Sequence, residues 1–214
     1  METAVGNMEP IPDEGREMRA EPRISLMMRA AKLVGPEGEY LCILRDVSST
    51  GAKVKLFHPV PHTGPLTIEL CNGDRFRIEP VWEESGHAGF RFIDGPVELS
   101  AMIDESGPFP KRQLRLKVDL PVIVQAEGQR LRALLRDLSQ HGALVETGEF
   151  LALRQLVTVS SPEFPARHAR VRWRRGSGHG LVFHEGFRLD ELAGLVAGLQ
   201  MRGHKPAEER RVNY

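Results

Sequence analysis

The chain has 214 residues, with 29 Lys and Arg against 29 Asp and Glu, so its formal net charge is zero; that length allows one large or two small domains, each able to bury a core without disulfide or zinc staples. An apolar share of 41% and the absence of any run near the roughly 20 apolar residues of a membrane helix point to a soluble globular protein without membrane insertion. The acidic start reads as no secretory signal, and two cysteines, Cys42 and Cys71, make neither a disulfide framework nor a four-ligand zinc set, so the expected compartment is a reducing cytoplasm.

In chain order, residues 1–15 are rich in Glu, Pro and Gly and are expected to be disordered. Apolar-rich runs at 24–33 and 39–44 flank Gly35-Pro36-Glu37-Gly38, a turn signal. Residues 52–57 alternate, with Val54 and Leu56 on one face and Lys53 and Lys55 on the other. Runs at 66–70 and 76–82 flank Cys71-Asn72-Gly73-Asp74, where Asn-Gly is a strong hairpin signal. A strand at 89–93 and a short apolar-periodic stretch through Val97, Leu99, Met102 and Ile103 complete this half.

The pattern then returns. Leu44-Arg45-Asp46-Val47-Ser48-Ser49-Thr50-Gly51-Ala52 recurs 91 residues later as Leu135-Arg136-Asp137-Leu138-Ser139-Gln140-His141-Gly142-Ala143. The same offset carries Trp82 to Trp173, the only tryptophans, and Gly89 to Gly180, Phe92 to Phe183 and Gly95 to Gly186. Upstream the offset is 92, taking Arg23 to Arg115 and Arg19 to Lys111, as one inserted residue in the intervening strands would produce. The chain therefore reads as two copies of one domain, 16–107 and 108–203, joined through Ser106-Gly107-Pro108-Phe109-Pro110 and followed by a loose tail at 204–214. Strands of the second copy are expected at 118–125, 131–135, 143–146, 156–160, 169–173 and 180–183. Leu189, Leu192, Leu195, Val196 and Leu199 then mark one face of a helix. Six short strands per copy indicate a small barrel or sandwich.

Lysines number six and arginines 23, and arginine's planar fork suits phosphate and the guanine N7/O6 edge. Copy one carries Arg19-Ala20-Glu21-Pro22-Arg23, an RxxxR, and then Asp46-Val47-Ser48-Ser49-Thr50-Gly51, a DxSxxG. Each alone is unspecific, and plain turn chemistry explains a DxSxxG. In this order, with a strand pair between them and a later Trp…Gly-x-x-Phe pair, they resemble the PilZ domain, a receptor for the bacterial second messenger cyclic di-GMP. The resemblance covers about nine-tenths of the chain as two tandem copies. It implies an all-β fold with short helices: two tandem six-stranded barrels, each followed by a helix.

It also implies ligand-binding roles for Arg19, Arg23, Asp46, Ser48 and Gly51, with Arg16 as a further arginine. Arginines clamp phosphate or stack on guanine, the Asp carboxylate accepts from guanine N–H groups, and the Ser hydroxyl donates or accepts. The Gly permits a left-handed backbone and close approach. Copy two departs from the pattern, since Lys111 replaces the first arginine and cannot fork or stack. Arg112, Arg115, Asp137, Ser139 and Gly142 remain as a weaker candidate set.

The expected function is a non-enzymatic cyclic di-GMP receptor that signals to a protein partner, with motility, exopolysaccharide or attachment as output and cyclic di-GMP as ligand rather than cofactor. The alternatives are a PilZ-like scaffold that binds no nucleotide and an Arg-rich nucleic-acid regulator, which zero net charge disfavours. Asp137, Ser139 and His141 are turn residues rather than a triad, since no nucleophile elbow is present. His87, His168, His179 and His184 have no metal spacing. Cys42, Cys71, Trp82 and Trp173 are expected in the core. Arg170, Arg172, Arg174 and Arg175 are expected on a solvated strand face.

Overall fold

A computed structural model describes residues 24–60, 64–103 and 113–203. The terminal segments at 1–15 and 204–214, together with Arg16, Arg19, Arg23, Lys111 and Arg112, lie outside the described residues.

Among the described residues, twelve strands form two closed antiparallel barrels of six. Barrel 1 contains β1 (Ile24–Gly35), β2 (Gly38–Val47), β3 (Gly51–Leu56), β4 (Leu66–Leu70), β5 (Arg75–Glu84) and β6 (His87–Phe92), followed by a one-turn α1 (Leu99–Ile103). Barrel 2 contains β7 (Leu116–Ala126), β8 (Gln129–Leu138), β9 (Gly142–Glu146), β10 (Leu156–Ser161), β11 (Phe164–Arg175) and β12 (Gly178–Phe183), followed by α2 (Leu189–Gly203). The strand order is the same in both, β1-β2-β3-β6-β5-β4 and its counterpart. Among the described residues, closure leaves no sheet edge open to pair with another chain. The alternatives of barrel and sandwich are thus settled in favour of the barrel, and several strands run further than their apolar runs indicated.

The one-residue slip in the repeat has a physical location. In barrel 1 the β1–β2 register jumps from Ser25↔Asp46 to Arg29↔Leu44, whereas in barrel 2 it jumps from Lys117↔Asp137 to Leu120↔Leu135. Both are bulges, and that of β1 holds one residue more, which converts the offset of 92 upstream into 91 downstream.

Each barrel fills its interior from alternating positions. Leu33, Cys42, Leu44, Val54, Ile68 and Ile78 are buried in barrel 1; Val124, Leu135, Val145, Val159, Phe164 and Val171 are buried in barrel 2. Cys42 is a core residue as expected, whereas Cys71 at the β4–β5 tip is half-buried. Along α2, Leu192 and Val196 are buried while Leu189, Leu195 and Leu199 pack partly against barrel 2. The helix begins with Glu191 accepting from the Arg188 amide at 3.0 Å, and its first-turn acids complement the helix dipole.

Both tryptophans depart from the sequence expectation. They occupy equivalent places but stand outside the barrels, with Trp82 41% and Trp173 39% exposed. The cause is a bulge in β5 between Pro80 and Trp82 and in β11 between Val171 and Trp173. In unbroken alternation Trp173 would follow Ala169 and Val171 inward; the extra residue reverses its phase.

His179 of β12 is 1% exposed and occupies the position that Ala88 fills in barrel 1. Its Nδ1 lies 3.0 Å from the Ser177 carbonyl and must donate, which leaves Nε2 as a buried acceptor without a partner among the described residues. Desolvation holds this imidazole below its ordinary pKa. Its neutral form therefore favours the fold, with the contribution complete above about pH 6.5 and lost as pH falls through the depressed value. Melting temperatures of wild type and His179→Leu, measured between about pH 7.5 and 5.5, are expected to diverge in slope. Wild type should lose stability on acidification more steeply; parallel curves would show that His179 does not titrate with unfolding.

Candidate functional sites on the barrel surfaces

The two DxSxxG segments form the same turn, joining β2 to β3 and β8 to β9. In each, the serine amide donates to the glycine carbonyl, Ser48 to Gly51 at 2.8 Å and Ser139 to Gly142 at 2.9 Å. The hydroxyls point to the same carbonyls at 3.4 and 3.2 Å. Both serines are buried, so much of their hydrogen-bonding capacity closes the turn.

The glycines serve differently from the sequence expectation. Neither Gly51 nor Gly142 has left-handed backbone. Each lies against the next strand, where a Cβ would meet the Phe90 carbonyl oxygen at 2.4 Å or that of Leu181 at 2.3 Å. Backbone cannot yield as a flexible side chain can, so glycine is required here for β3–β6 and β9–β12 to approach. The glycine of the motif is thus first a packing residue.

A second glycine pair seats the tryptophans. Trp82 lies opposite Gly89 and Trp173 opposite Gly180. A Cβ on either glycine would fall 2.1 Å from the indole Nε1. Each indole therefore lies flat across the missing side chain of the neighbouring strand, one face on backbone and the rest toward solvent. The sequence reading missed this pairing as a site feature, although its signal was present: the same Trp and Gly recur seven residues apart in both copies.

Turn and indole together line a hollow in barrel 1. Asp46, Ser48, Gly51, Lys53, Trp82 and Arg91 border about 200 Å³. The Lys53 ammonium stands 5.9 Å from the Trp82 ring, and Arg91 pairs with Glu79. Arg19 and Arg23, the cationic half of the set proposed for this copy, lie outside the described residues.

The equivalent face of barrel 2 opens into a larger cleft of about 740 Å³, bordered by Arg115, Lys117, Asp137, Ser139 and Trp173 on one side. Arg115 Nη1 donates to Asp137 Oδ1 at 3.0 Å, so the second arginine of the lead-in and the aspartate of the turn already meet. Burial pushes the Asp137 carboxyl above its ordinary pKa; Arg115 opposes the shift, and a backbone hydrogen bond from Leu144 opposes it further. Gly142 does not border this cleft. His141 faces Gln113, with 2.6 Å between Nδ1 and Nε2, while Ser139 turns to Gly142, so Asp137, Ser139 and His141 assemble no triad.

The opposite wall belongs to barrel 1: Lys32, Glu69, and Cys71, Asn72 and Gly73 of the β4–β5 hairpin. Beneath it lies a polar joint between the barrels. Lys32, on the outer face of β1, is 4% exposed. Its Nζ lies 3.2 Å from Glu39 Oε2, 3.2 Å from Glu69 Oε1 and 3.0 Å from the Arg115 carbonyl. Glu39 Oε2 also accepts from the Lys117 amide at 2.8 Å, and the Gln200 amide group bonds both backbone groups of Glu39. Leu41, outward-facing on β2, joins the core cluster of barrel 2. The backbone that leads from Arg115 into β7 is thus gripped from barrel 1 at the Arg115 carbonyl and the Lys117 amide.

Among the described residues, no cluster of His, Cys, Asp or Glu has the makings of a metal site, and no helix is long and apolar enough to cross a membrane.

Residues 110–199, comprising barrel 2 with its lead-in and most of α2, match the PilZ domain model. No curated protein matches the chain. Similar solved structures include PlzA of Borreliella burgdorferi in complex with c-di-GMP, at 10% identity and a TM-score of 0.34, covering 82% of this chain and 92% of that one. The inhibitor of motility MotI/DgrA of Bacillus subtilis aligns at 14% identity and a TM-score of 0.33, covering 84% and 100%. YcgR of Escherichia coli in complex with c-di-GMP aligns at 13% identity and a TM-score of 0.30, covering 86% and 89%.

Proposed function

We propose that this chain is a bacterial cyclic di-GMP receptor that hands its signal to a protein partner through the packing of its two barrels, with motility, exopolysaccharide synthesis or attachment as the output. The observation that carries this reading is the convergence of Arg115, Asp137 and Trp173 on one cleft within the PilZ-matching region. The three supply what a guanine dinucleotide asks for. Arg115 is half-exposed and can exchange Asp137 for a phosphate or a guanine edge. Asp137 then accepts from guanine N–H groups, and the exposed indole face offers a stacking surface. A volume near 740 Å³ falls within the range of small-molecule sites, about 300–1,000 Å³. Lys111 and Arg112 add cations to the same lead-in.

Barrel 1 is proposed as a second site, with Arg19, Arg23, Asp46, Ser48 and Gly51 as its ligand-binding residues beside Trp82. Ligand bound in the junction cleft touches a strand held by both barrels, so it shifts their packing only in so far as it binds one arrangement more tightly than the other.

Isothermal titration calorimetry of the full chain with cyclic di-GMP tests this against Arg115→Ala and Arg19→Ala/Arg23→Ala. A charged hydrogen bond contributes about 1.5–3 kcal/mol, so Arg115→Ala is expected to weaken the cleft site by roughly ten- to a hundredfold. The double variant is expected to remove the barrel 1 site alone. Unchanged binding by both variants would overturn the site assignment. Absence of binding by wild type would overturn the function and leave the nucleotide-free scaffold.

A further inference from the structure

The repeat separates what a barrel needs from what one copy adds. In barrel 2, residues 147–155 join β9 to β10, and Leu151 of this loop is buried in the core. Its counterpart 91 residues earlier, Val60, is buried in the core of barrel 1. One residue thus anchors the loop in each copy. Phe150 and Leu153, on either side of Leu151, take no part in this and are 70% and 61% exposed. Their counterparts in copy one are Pro59 and His62. Leu156 and Val182 extend the apolar surface along the adjoining wall, where copy one has Pro65 and Arg91. The fold therefore does not require these four side chains, and an exposed apolar patch of this kind marks an interaction surface.

Arginines run through the same surface. Arg170 stands between Leu156 and Val182 in one cross-strand row. The matching places of Arg170 and Val182 in copy one hold Glu79 and Arg91, which pair with each other. The Arg174 guanidinium lies 4.1 Å from the Phe150 ring. The Arg154 amide donates to the Val171 carbonyl at 2.8 Å, which sets this residue alongside the part of β11 that carries Arg170 and Arg172. All four arginines are exposed. Among the described residues none of them makes an ion pair, whereas the exposed Arg75, Arg77 and Arg188 each meet a carboxylate. Glu149, the one acid of the loop, offsets a single charge. Neighbouring cations without counter-charges repel one another, and an anionic surface would relieve this.

We propose that this end of barrel 2 adsorbs to an anionic lipid surface, with Phe150 and Leu153 entering the headgroup region and the arginines meeting lipid phosphates. No segment crosses the bilayer. An aromatic ring and long cationic side chains suit this boundary, because each keeps its apolar part inward and its charge in the polar layer. Phe150 and Leu153 border neither of the hollows described above, so they offer a partner a tip rather than a cleft. A bilayer accepts such a tip without a matching cavity. A nucleic acid would engage the arginines and leave both apolar side chains against a charged backbone. A second copy of the same surface would bring like charges together.

Vesicle flotation of the full chain tests it, with no cyclic dinucleotide present. Wild type is expected to float with phosphatidylcholine vesicles that contain about one-third phosphatidylglycerol, and not with phosphatidylcholine alone. Raising the salt to about 1 M, where the Debye length is about 3 Å, is expected to weaken the binding. Arg154→Gln/Arg174→Gln removes two cations and is expected to weaken it roughly thirtyfold. Phe150→Ser/Leu153→Ser keeps every charge and is expected to weaken it by about tenfold or more. All four positions are on the surface, and circular dichroism checks that both variants fold. A wild type that does not float with the anionic vesicles would overturn the proposal and leave the tip to an acidic protein. Equal binding to neutral vesicles would overturn it as well, and so would binding that the Phe150→Ser/Leu153→Ser variant retains in full.

Discussion

Replacing Lys32 with methionine is expected to cost the fold about 3–5 kcal/mol, the usual penalty for removing one member of a buried charge set. Lys32 is held between Glu39 and Glu69 and donates to the Arg115 carbonyl of the other barrel. Without it, the Glu39 and Glu69 carboxylates, with side chains 9% and 16% exposed, face each other with only the exposed Arg75, on Glu69, to offset them. Their mutual repulsion is strong in a poorly solvated joint, because little water screens it. Methionine fills much the same volume, so packing changes little and the loss reports on charge. The damage should concentrate at the joint, since both barrel cores remain intact. Thermal unfolding followed by tryptophan fluorescence and by calorimetry is expected to change from one cooperative transition toward two. A triple variant, Lys32→Met/Glu39→Gln/Glu69→Gln, discharges the joint and is expected to recover most of the stability. A single variant that melts as wild type does would show that the joint is solvated and contributes nothing.

The legibility of this joint in the sequence marks the reach of local patterns. The repeat at 91 residues gave two copies, and the strand and turn spacing gave six strands in each, because short-range alternation and turn chemistry are written locally. Lys32 was invisible by the same logic. It alternates with the core residues Ala31 and Leu33 and so reads as a solvated outward lysine; only the docking of a second barrel buries it. Leu41 has the same history, being outward on its own barrel and yet part of its neighbour's core. The tryptophans failed for a different reason. A bulge of one residue reverses the inward–outward phase of everything beyond it, and no spacing rule shows where the bulge falls. Asp137 and Arg115 were legible as types at the motif positions, and the structure adds that they touch. The glycine of the motif was legible as a requirement, although the cause is a neighbouring strand's carbonyl rather than a positive φ.

Asp137→Asn should separate what this residue does for the fold from what it does for a ligand. Burial raises the Asp137 carboxyl above its ordinary pKa despite the Arg115 guanidinium, with the Glu39 charge adding to the rise. A raised value in the folded chain means that the folded state binds the proton more tightly than the unfolded state. The associated stability is complete below the ordinary Asp value of about 3.9 and is lost as pH rises through the raised value. At neutral pH the ionised carboxylate is therefore a cost to the fold, and an asparagine, which keeps an acceptor for Arg115 and the Leu144 amide, removes it. The variant is expected to melt at or above the wild-type temperature near neutral pH, with the difference closing under acid. A turn residue retained for stability would behave in the opposite way. Binding is expected to move against stability. Asparagine offers a guanine fewer acceptor sites and no charge, so affinity at the cleft should fall by about ten- to a hundredfold, as loss of a charged hydrogen bond implies. Calorimetric titration and a melting series on one preparation read both quantities. A variant that binds as tightly as wild type and melts lower would reduce Asp137 to a member of its turn. Unchanged or raised stability with weakened binding would mean that the chain tolerates a poorly solvated charge at this position because the ligand requires it.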